Sequence, residues 1–496
     1  MQQGNEVPQP IYETVPVDPN AAEQNTLQPE EVSQNVVETD QGNNGQLQPE
    51  VVPIADEPPA IYQEKSKLPF IAIGAVVLVV LLLVVVILFS RKSATTPPPQ
   101  ATTLVYWGLW EDKEVMDALI KEYQKSNPQV KIQYEKKDPA DYLQKLLVWT
   151  QKGQGPDLFR FHNTWLPEVN EITAPLPDTV MTAQQFEKTF YPVQQKDLKI
   201  GSKYYGLPTY IDGLVLLCNQ DLLKKAGVAT VPGNWDDLIA AANKVLVKEK
   251  DGHIITAGLA GGTATNVEHF SDIFGLMLML NGGSLSKLDE AEAAGALEAY
   301  RRFAEEPNNV WSEDMPNSIT AFAQGKVAMI FAPTWEIQTI KATAPDLKIV
   351  VGEIPSPPGG KQVSLASYWV EGVSSKSTHQ LEAWKFLAYL TSKEGETKLF
   401  EVQSSLRLFG TAYSRIDLAD LLVQHEYLGP VVKQAIEDKF VSLPLESSTF
   451  DDALDDGIIQ YVQNAINATS RGVSYTEALG TAKKGVDQVF SRYKIN

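Results

Sequence analysis

The chain has one cysteine in 496 residues, Cys218, so no intrachain disulfide can form and cysteine spacing says nothing about redox compartment. No cysteine stands near the start to carry a lipid. Cys218 lies in the apolar run Leu214-Val215-Leu216-Leu217-Cys218, which predicts a small buried core residue. Histidine is scarce too. The five, His162, His253, His269, His379 and His425, have no metal-ligand spacing, so neither a metal site nor a cofactor is expected. Gly-x-Ser-x-Gly, a phosphate-binding loop and a dinucleotide glycine fingerprint are all missing. Of enzyme chemistry only a glycosidase-like carboxylate pair is left, Glu111 and Glu336 facing each other across a cleft, and the expectation is that the chain is not an enzyme.

Positive charge is absent from residues 1–64, which hold twelve Asp and Glu of a chain with net charge -20. An acidic chain repels phosphate backbones, so nucleic acid is not expected as a partner. This segment is rich in Pro, Gln, Glu and Asn, with Tyr12 and Tyr62 as its aromatic residues, and buries too little apolar surface to offset the entropy of ordering. It is expected to be disordered. Leu27-Gln28-Pro29-Glu30 recurs as Leu47-Gln48-Pro49-Glu50, which reads as compositional drift.

The neighbouring stretch has the opposite character. Residues 68–89 carry no charge and no side-chain amide or hydroxyl. A helix of that length covers about 30 Å, the thickness of a bilayer's hydrocarbon core, which predicts one transmembrane helix over 65–92 with its basic flanks. Its distance from the first residue and the adjoining Ser90-Arg91-Lys92 predict an uncleaved anchor. Lys65 and Lys67 on one side balance Arg91 and Lys92 on the other, so flanking charge alone leaves orientation open.

Residues 93–102 form a Ser/Thr/Pro linker stiffened by Pro97-Pro98-Pro99, and a domain at 103–496 comes after it, long enough for two lobes. Strand patterns at 103–107, 130–134 and 157–159 alternate with helical spacing at 114–125 and 142–149. That alternation predicts an α/β fold with a parallel sheet, whose ligand sites form beyond the carboxyl ends of the strands.

Several motifs come in one order along the chain. They are Trp107-x-x-Trp110, Tyr123-x-Lys125-x-Asn127-Pro128, Gly155-Pro156-Asp157 and Lys203-Tyr204-Tyr205-Gly206-Leu207-Pro208. Asn219-Gln220-Asp221-Leu222-Leu223, Pro232-Gly233-Asn234-Trp235-Asp236-Asp237-Leu238 and Phe322-Ala323-Gln324-Gly325-Lys326-Val327-Ala328-Met329 come after them. Together they resemble the extracellular solute-binding proteins of bacterial ABC importers, in the maltodextrin or carbohydrate-binding branch. The resemblance implies a two-lobed, periplasmic-binding-protein-like domain that closes by hinge motion on a solute. It places crossovers near 210–213, near 364–368 and around Ile416. Lobe one would be about 103–211 and 367–415, and lobe two about 212–366 and 416–496. It also implies permease subunits as partners and a membrane tether whose binding domain is outside and whose tail, 1–64, is cytoplasmic. Two alternatives remain open, a sensor signalling through that tail and a binder of a non-sugar solute.

A sugar site needs flat aromatic faces for C–H ring patches and a few fixed polar groups for hydroxyls. The candidates at or after strand ends and at crossovers are Trp107, Trp110, Glu111, Asp157, Trp165, Tyr210, Asp212, Trp335, Glu336, Tyr368, Trp369 and, in a later loop, Arg407. Trp149, Trp235, Trp311 and Trp384 are expected in the core. The acidic residues Asp451, Asp452, Asp455 and Asp456 lack calcium-loop spacing and are expected at a helix start.

Overall fold

A computed structural model describes residues 101–443 and 457–495. The acidic tail, the apolar run at 68–89, the proline-rich linker and the acidic residues at 451–456 lie outside them. Among the described residues no helix is long and apolar enough to cross a membrane.

The chain begins with β1 (Thr102–Gly108), α1 (Lys113–Ser126), β2 (Val130–Lys136), α2 (Tyr142–Gln151) and β3 (Leu158–His162). Then come α3 (Pro192–Asp197), β4 (Leu207–Pro208) and β5 (Leu214–Asn219). The middle holds α4 (Trp235–Val245), β6 (Val247–Lys248), β7 (Ile254–Leu259), α5 (Phe270–Leu280), β8 (Val327–Pro333), α6 (Glu336–Thr343) and β9 (Ile349–Gly352). After it run β10 (Ser364–Leu365), β11 (Trp369–Val373), α7 (Gln380–Leu390), α8 (Gly429–Ile436), β12 (Phe440–Val441) and two closing helices, Ile458–Ser470 and Tyr475–Tyr493. Local chemistry explains the boundaries. α1 buries Val115, Met116, Leu119, Ile120 and Tyr123 on one stripe, and Asn127 ends it by donating from Nδ2 to the Tyr123 carbonyl at 3.0 Å. β2 alternates buried Val130, Ile132 and Tyr134 with exposed Lys131 and Gln133.

Two five-stranded sheets result, in the orders β2-β1-β3-β11-β4 and β9-β5-β8-β7-β6. Parallel sheets were the expectation, and both are mixed. β1 is parallel to β2 and β3, but β11 runs antiparallel to β3 and β4. β7 and β8 are parallel, but β5 is antiparallel to β8 and β9. The cause is the route of the chain. It passes from one sheet to the other at 210–213 and back at 364–368, where Gly213 bridges Ala366 and the Ser367 amide donates to the Asp212 carbonyl at 3.0 Å. A strand that starts at a crossover starts at the edge where β3 and β8 end, so Trp369 pairs with His162 and Leu214 with Pro333. A Cβ on Gly213 would collide with the Leu365 carbonyl, which requires glycine where the two crossover segments touch. A third crossover is expected around Ile416; among the described residues no strand of either five-stranded sheet comes after Val373, and past Arg415, bridged to Phe190, the chain reaches Gln434 on α8, which donates to the Leu214 carbonyl at 3.1 Å.

A buried ion pair stands at the centre of the first sheet. Arg160 on β3 and Glu371 on β11 are directly opposed in register, with Nε and Nη2 at 2.7 and 2.5 Å from one carboxylate oxygen. Both side chains are inaccessible, and Tyr142 donates to the Arg160 carbonyl at 2.7 Å. Removing one partner leaves an uncompensated buried charge. Glu371→Ala is therefore expected to lower the unfolding free energy by about 3–5 kcal/mol, and the combined change Arg160→Met, Glu371→Leu and Glu111→Gln, which also neutralises the buried Glu111 3.8 Å from Arg160, by clearly less, as read from denaturant unfolding.

A second polar cluster joins segments distant in sequence. Asp197 Oδ2, at the end of α3, accepts from Tyr368 Oη at 2.7 Å, Ser442 Oγ at 2.7 Å and Asn163 Nδ2 at 3.1 Å. Burial pushes the Asp197 carboxyl up to about 6, against the opposing pull of these donors and of Lys196. Because the folded value lies above the unfolded one, the folded state binds the extra proton between roughly pH 4 and 6, and the contribution of Asp197 to stability falls as pH rises through that window. Across it, the stability of the native chain relative to Asp197→Asn should decline by up to roughly 3 kcal/mol and level off above, which urea titrations at stepped pH will measure.

Candidate functional site

The carboxyl ends of β1 and β3 and the start of β11 form one edge of the first sheet, the carboxyl end of β8 and the start of β5 form one edge of the second, and most of the residues expected to bind solute lie at these two edges or at the crossovers between them. Trp369, first residue of β11, is nearly buried, at 7% exposure. Its ring meets Trp110 edge to face at 5.5 Å between centroids, Trp165 at 5.2 Å and His162 at 5.2 Å. Trp110 is half-buried in the turn after β1. Tyr210, half-buried at the first crossover, has its phenol held above the ordinary range by burial, with Arg160, Glu111, Asp212 and Arg407 as the charges around it. A phenol that stays protonated can both donate to and accept from a hydroxyl.

At the second sheet's edge, Trp335 and Glu336 begin α6 after β8. Trp335 is 39% exposed and rests edge-on against His269 at 5.9 Å. Its backbone is held by Asp212, whose carboxylate accepts from the amides of Gly213 at 2.8 Å, Thr334 at 3.1 Å and Trp335 at 3.3 Å and from Thr334 Oγ1 at 2.9 Å. Burial raises the Asp212 carboxyl to about 6, and those donors work against the rise. Glu336 is buried with its oxygen 3.2 Å from His269 Nε2, while Asp272 lies 3.6 Å from Nδ1. Burial would strip the His269 proton, but the two carboxylates outweigh it and lift the imidazole to about 9, so His269 is a cation at neutral pH. Arg407 is half-buried, donating from Nε to the Phe409 carbonyl at 3.2 Å, and that carbonyl also accepts from Gln338 on α6 at 3.3 Å.

Several candidates do other work. Asp157 precedes β3 instead of coming after it, a strand's length from the edge, and its oxygens accept from the Val105 amide at 2.9 Å and Ser377 Oγ at 2.5 Å. Trp165 is wholly buried and forms a floor under Trp369. Tyr368, one residue before Trp369, points the opposite way into the Asp197 cluster. Glu111 is buried 3.8 Å from Arg160 Nη1, and Glu336 is committed to His269. The two carboxylates expected as a possible hydrolytic pair are thus each held by a buried cation. Trp107 turns to the other face of its sheet, toward α2. Trp149, expected in the core, is 49% exposed, whereas Trp311 and Trp384 are buried as expected.

Two histidines at this edge are invisible to a reading of histidine spacing, which bears only on metal ligation. His162 ends β3, the kind of position that singled out other residues, and is neutral because burial lowers its imidazole to about 3. It is fixed by Ser367 Oγ at 3.1 Å and Thr164 Oγ1 at 2.8 Å. His269 has one local partner, Asp272 three residues on, but its other partner, Glu336, lies 67 residues away, so the cluster as a whole leaves no local signal.

Residues 118–411, more than half of the chain, match the family described as bacterial extracellular solute-binding protein. A binding protein of Brucella abortus is 28% identical over 296 residues, spanning 58% of this chain and 70% of its own. The multiple sugar-binding protein of Streptococcus mutans is 23% identical over 326 residues, spanning 59% and 72%. Among solved structures, the sugar-binding protein MalE of Xanthomonas citri aligns with a TM-score of 0.65 at 18% identity, over 79% of this chain and 98% of that one. A solute-binding protein of an ABC transporter from Thermotoga lettingae, bound with α-D-tagatose, aligns with a TM-score of 0.62 at 23% identity, over 78% and 99%. These structural likenesses establish a two-lobed α/β fold, one sheet to each lobe, and with the family match extending from α1 to the loop after Arg407, the chain belongs to the bacterial extracellular solute-binding proteins.

Proposed function

We propose that this chain is the membrane-tethered solute-binding component of an ABC importer, capturing a sugar or oligosaccharide between two hinged lobes outside the cell. The observation that carries this reading is the aromatic edge. Trp110 and Trp369 meet edge to face, Tyr210 stands at the crossover, and Trp335 is exposed at the edge of the other sheet. Flat rings of this kind suit the C–H faces of a pyranose. The carboxylates at the same edge are already engaged, Glu111 beside Arg160, Asp212 by four donors and Glu336 by His269. A solute would therefore be chosen by shape and hydroxyl pattern more than by charge. Trp110, Tyr210, Trp335, Trp369 and Arg407 are the proposed contacts, and Asp212 and Glu336 hold the Trp335 turn in place. The names of relatives from Streptococcus mutans and Bacillus subtilis, a multiple sugar-binding and a maltodextrin-binding protein, favour the same ligand class.

The lobes are assigned to about 103–211 with 367–415 and about 212–366 with 416–496. Closure would bring the two edges together, and a permease on another chain would recognise the closed form. Residues 68–89 would be the tether, with Lys65 and Lys67 in the cytoplasm and Arg91 and Lys92 outside. One apolar helix without a polar face offers a solute no path, so its role is retention.

A thermal-shift screen of the full chain against sugars, oligosaccharides and non-sugar solutes tests the ligand class. A carbohydrate at 100 times its dissociation constant should add about 2.7 kcal/mol of stability. Trp335→Ala should weaken its binding about five- to tenfold while leaving the unliganded transition within about 0.5 kcal/mol. A shift from another class and none from any carbohydrate would refute the sugar assignment. Orientation is tested separately: protease added to intact cells should remove the residues beyond Ser93 and spare the acidic tail, and the opposite pattern would end the capture model.

A further inference from the structure

Of the tryptophans at strand ends, Trp107 is one that the aromatic edge does not use. Neighbours on a strand point to opposite faces, so Tyr106 turns toward Glu371 and Trp107 toward α2. There its ring meets Trp149 edge to face at 5.8 Å, and Lys137 Nζ stands 4.2 Å from its centroid. Trp107, Trp149 and Lys137, with Asp138, Tyr142 and Lys145, line a cavity of about 280 Å³. Trp149 is half in water, although α2 already buries Tyr142, Leu143 and Leu146 on its inner stripe.

We propose that this cavity is a second carbohydrate-binding position, on the flank of the first lobe, taking one neutral pyranose unit; it rests on the reading of the solute as a sugar or oligosaccharide. The walls are indole and phenol rings, and the rim carries donors and acceptors of both signs, the composition that ring C–H patches and hydroxyls need. Charge does not select the occupant. Lys137 is paired with Glu135 at 2.5 Å and Lys145 with Asp141 at 3.6 Å, so neither ammonium calls for an anionic ligand. Size points the same way, since the cavity lies just below the range of roughly 300–1,000 Å³ that drug-sized ligands fill. Lys137 rests on Trp107 as a movable cover, in a contact that is weak where water reaches it and that a sugar face can replace. The exposed apolar surface beside the cavity is confined to Val148 and Trp149, which suits a small molecule and not a protein partner.

Fluorine NMR of the full chain labelled with 5-fluorotryptophan tests the position directly, because each of the nine tryptophans gives its own signal. The probes are methyl α-glucoside, maltotetraose and mannotriose, titrated into the native chain, Trp149→Ala and Trp335→Ala. The Trp107 and Trp149 signals should move with their own midpoint, unchanged within twofold in Trp335→Ala, while the midpoint for Trp110 and Trp369 rises at least fivefold in that variant. In Trp149→Ala the Trp107 response should be lost and the Trp110, Trp335 and Trp369 responses kept. Silent Trp107 and Trp149 signals while the edge tryptophans respond would overturn the flank position and leave the edge reading standing. So would a Trp107 response whose midpoint tracks the edge in Trp335→Ala, since it would then report lobe closure alone. No response from any tryptophan to any probe would overturn the carbohydrate reading, and the flank position with it.

Discussion

A chain that passes between two sheets has to begin each new strand at the edge facing the sheet it has left. This constraint decides most of what is distinctive here. It turns β5 and β11 against their neighbours, pairs Trp369 with His162 and Leu214 with Pro333, and brings strand starts and strand ends to one shared border. Backbone crowded into that border needs unusual support. Gly213 leaves room for the Leu365 carbonyl, and the Asp212 carboxylate gathers the amides of a turn more than a hundred residues away. The same border is where Trp110, Tyr210 and Trp335 stay partly uncovered, so the surface proposed to take the solute is a by-product of the way the two halves are connected.

Two buried clusters set a cation between two carboxylates, whereas the buried Asp212 carboxylate is held by neutral donors alone. Arg160 stands between Glu371 and Glu111, and His269 between Glu336 and Asp272. Desolvating such groups is costly, and each cluster recovers part of the cost through close opposite charge. The consequence for recognition is a border rich in ionisable residues that presents little free charge to a solute. Polar residues whose types suggest ligand contacts act here as fasteners for the rings beside them.

That contrast explains what could and could not be read from the sequence. The family was legible because its motifs are local. Asn219 caps the short helix after β5 by accepting from the Asp221 and Leu222 amides at 3.1 Å, and Asn234 caps α4 by accepting from Asp237 at 2.9 Å. Strand positions and the regions of the crossovers at 210–213 and 364–368 were legible for the same reason. Side-chain direction was not, because one residue along a strand reverses it. Tyr106 and Trp107, or Tyr368 and Trp369, are equally plausible as types and face opposite ways. Clusters that join distant segments left no trace: Asp197 lies 171 residues from Tyr368 and 245 from Ser442. Trp149 was misplaced because it stands seven residues after Tyr142 and three after Leu146, the spacing of the inner stripe, yet at the border of that stripe, where nothing local tells that its ring is left half exposed.

The single cysteine has a practical side. Cys218 lies in the middle of the second sheet with no accessible surface, and burial pushes its thiol up to about 12. A thiol that is both covered and protonated is a poor nucleophile toward maleimides. The native chain is therefore chemically blank for thiol labelling, and a pair of cysteines introduced on the two lobes could carry fluorophores or spin labels without first deleting the natural one. Distances across the border would then be measurable in solution, with the protein's own core as an unlabelled background.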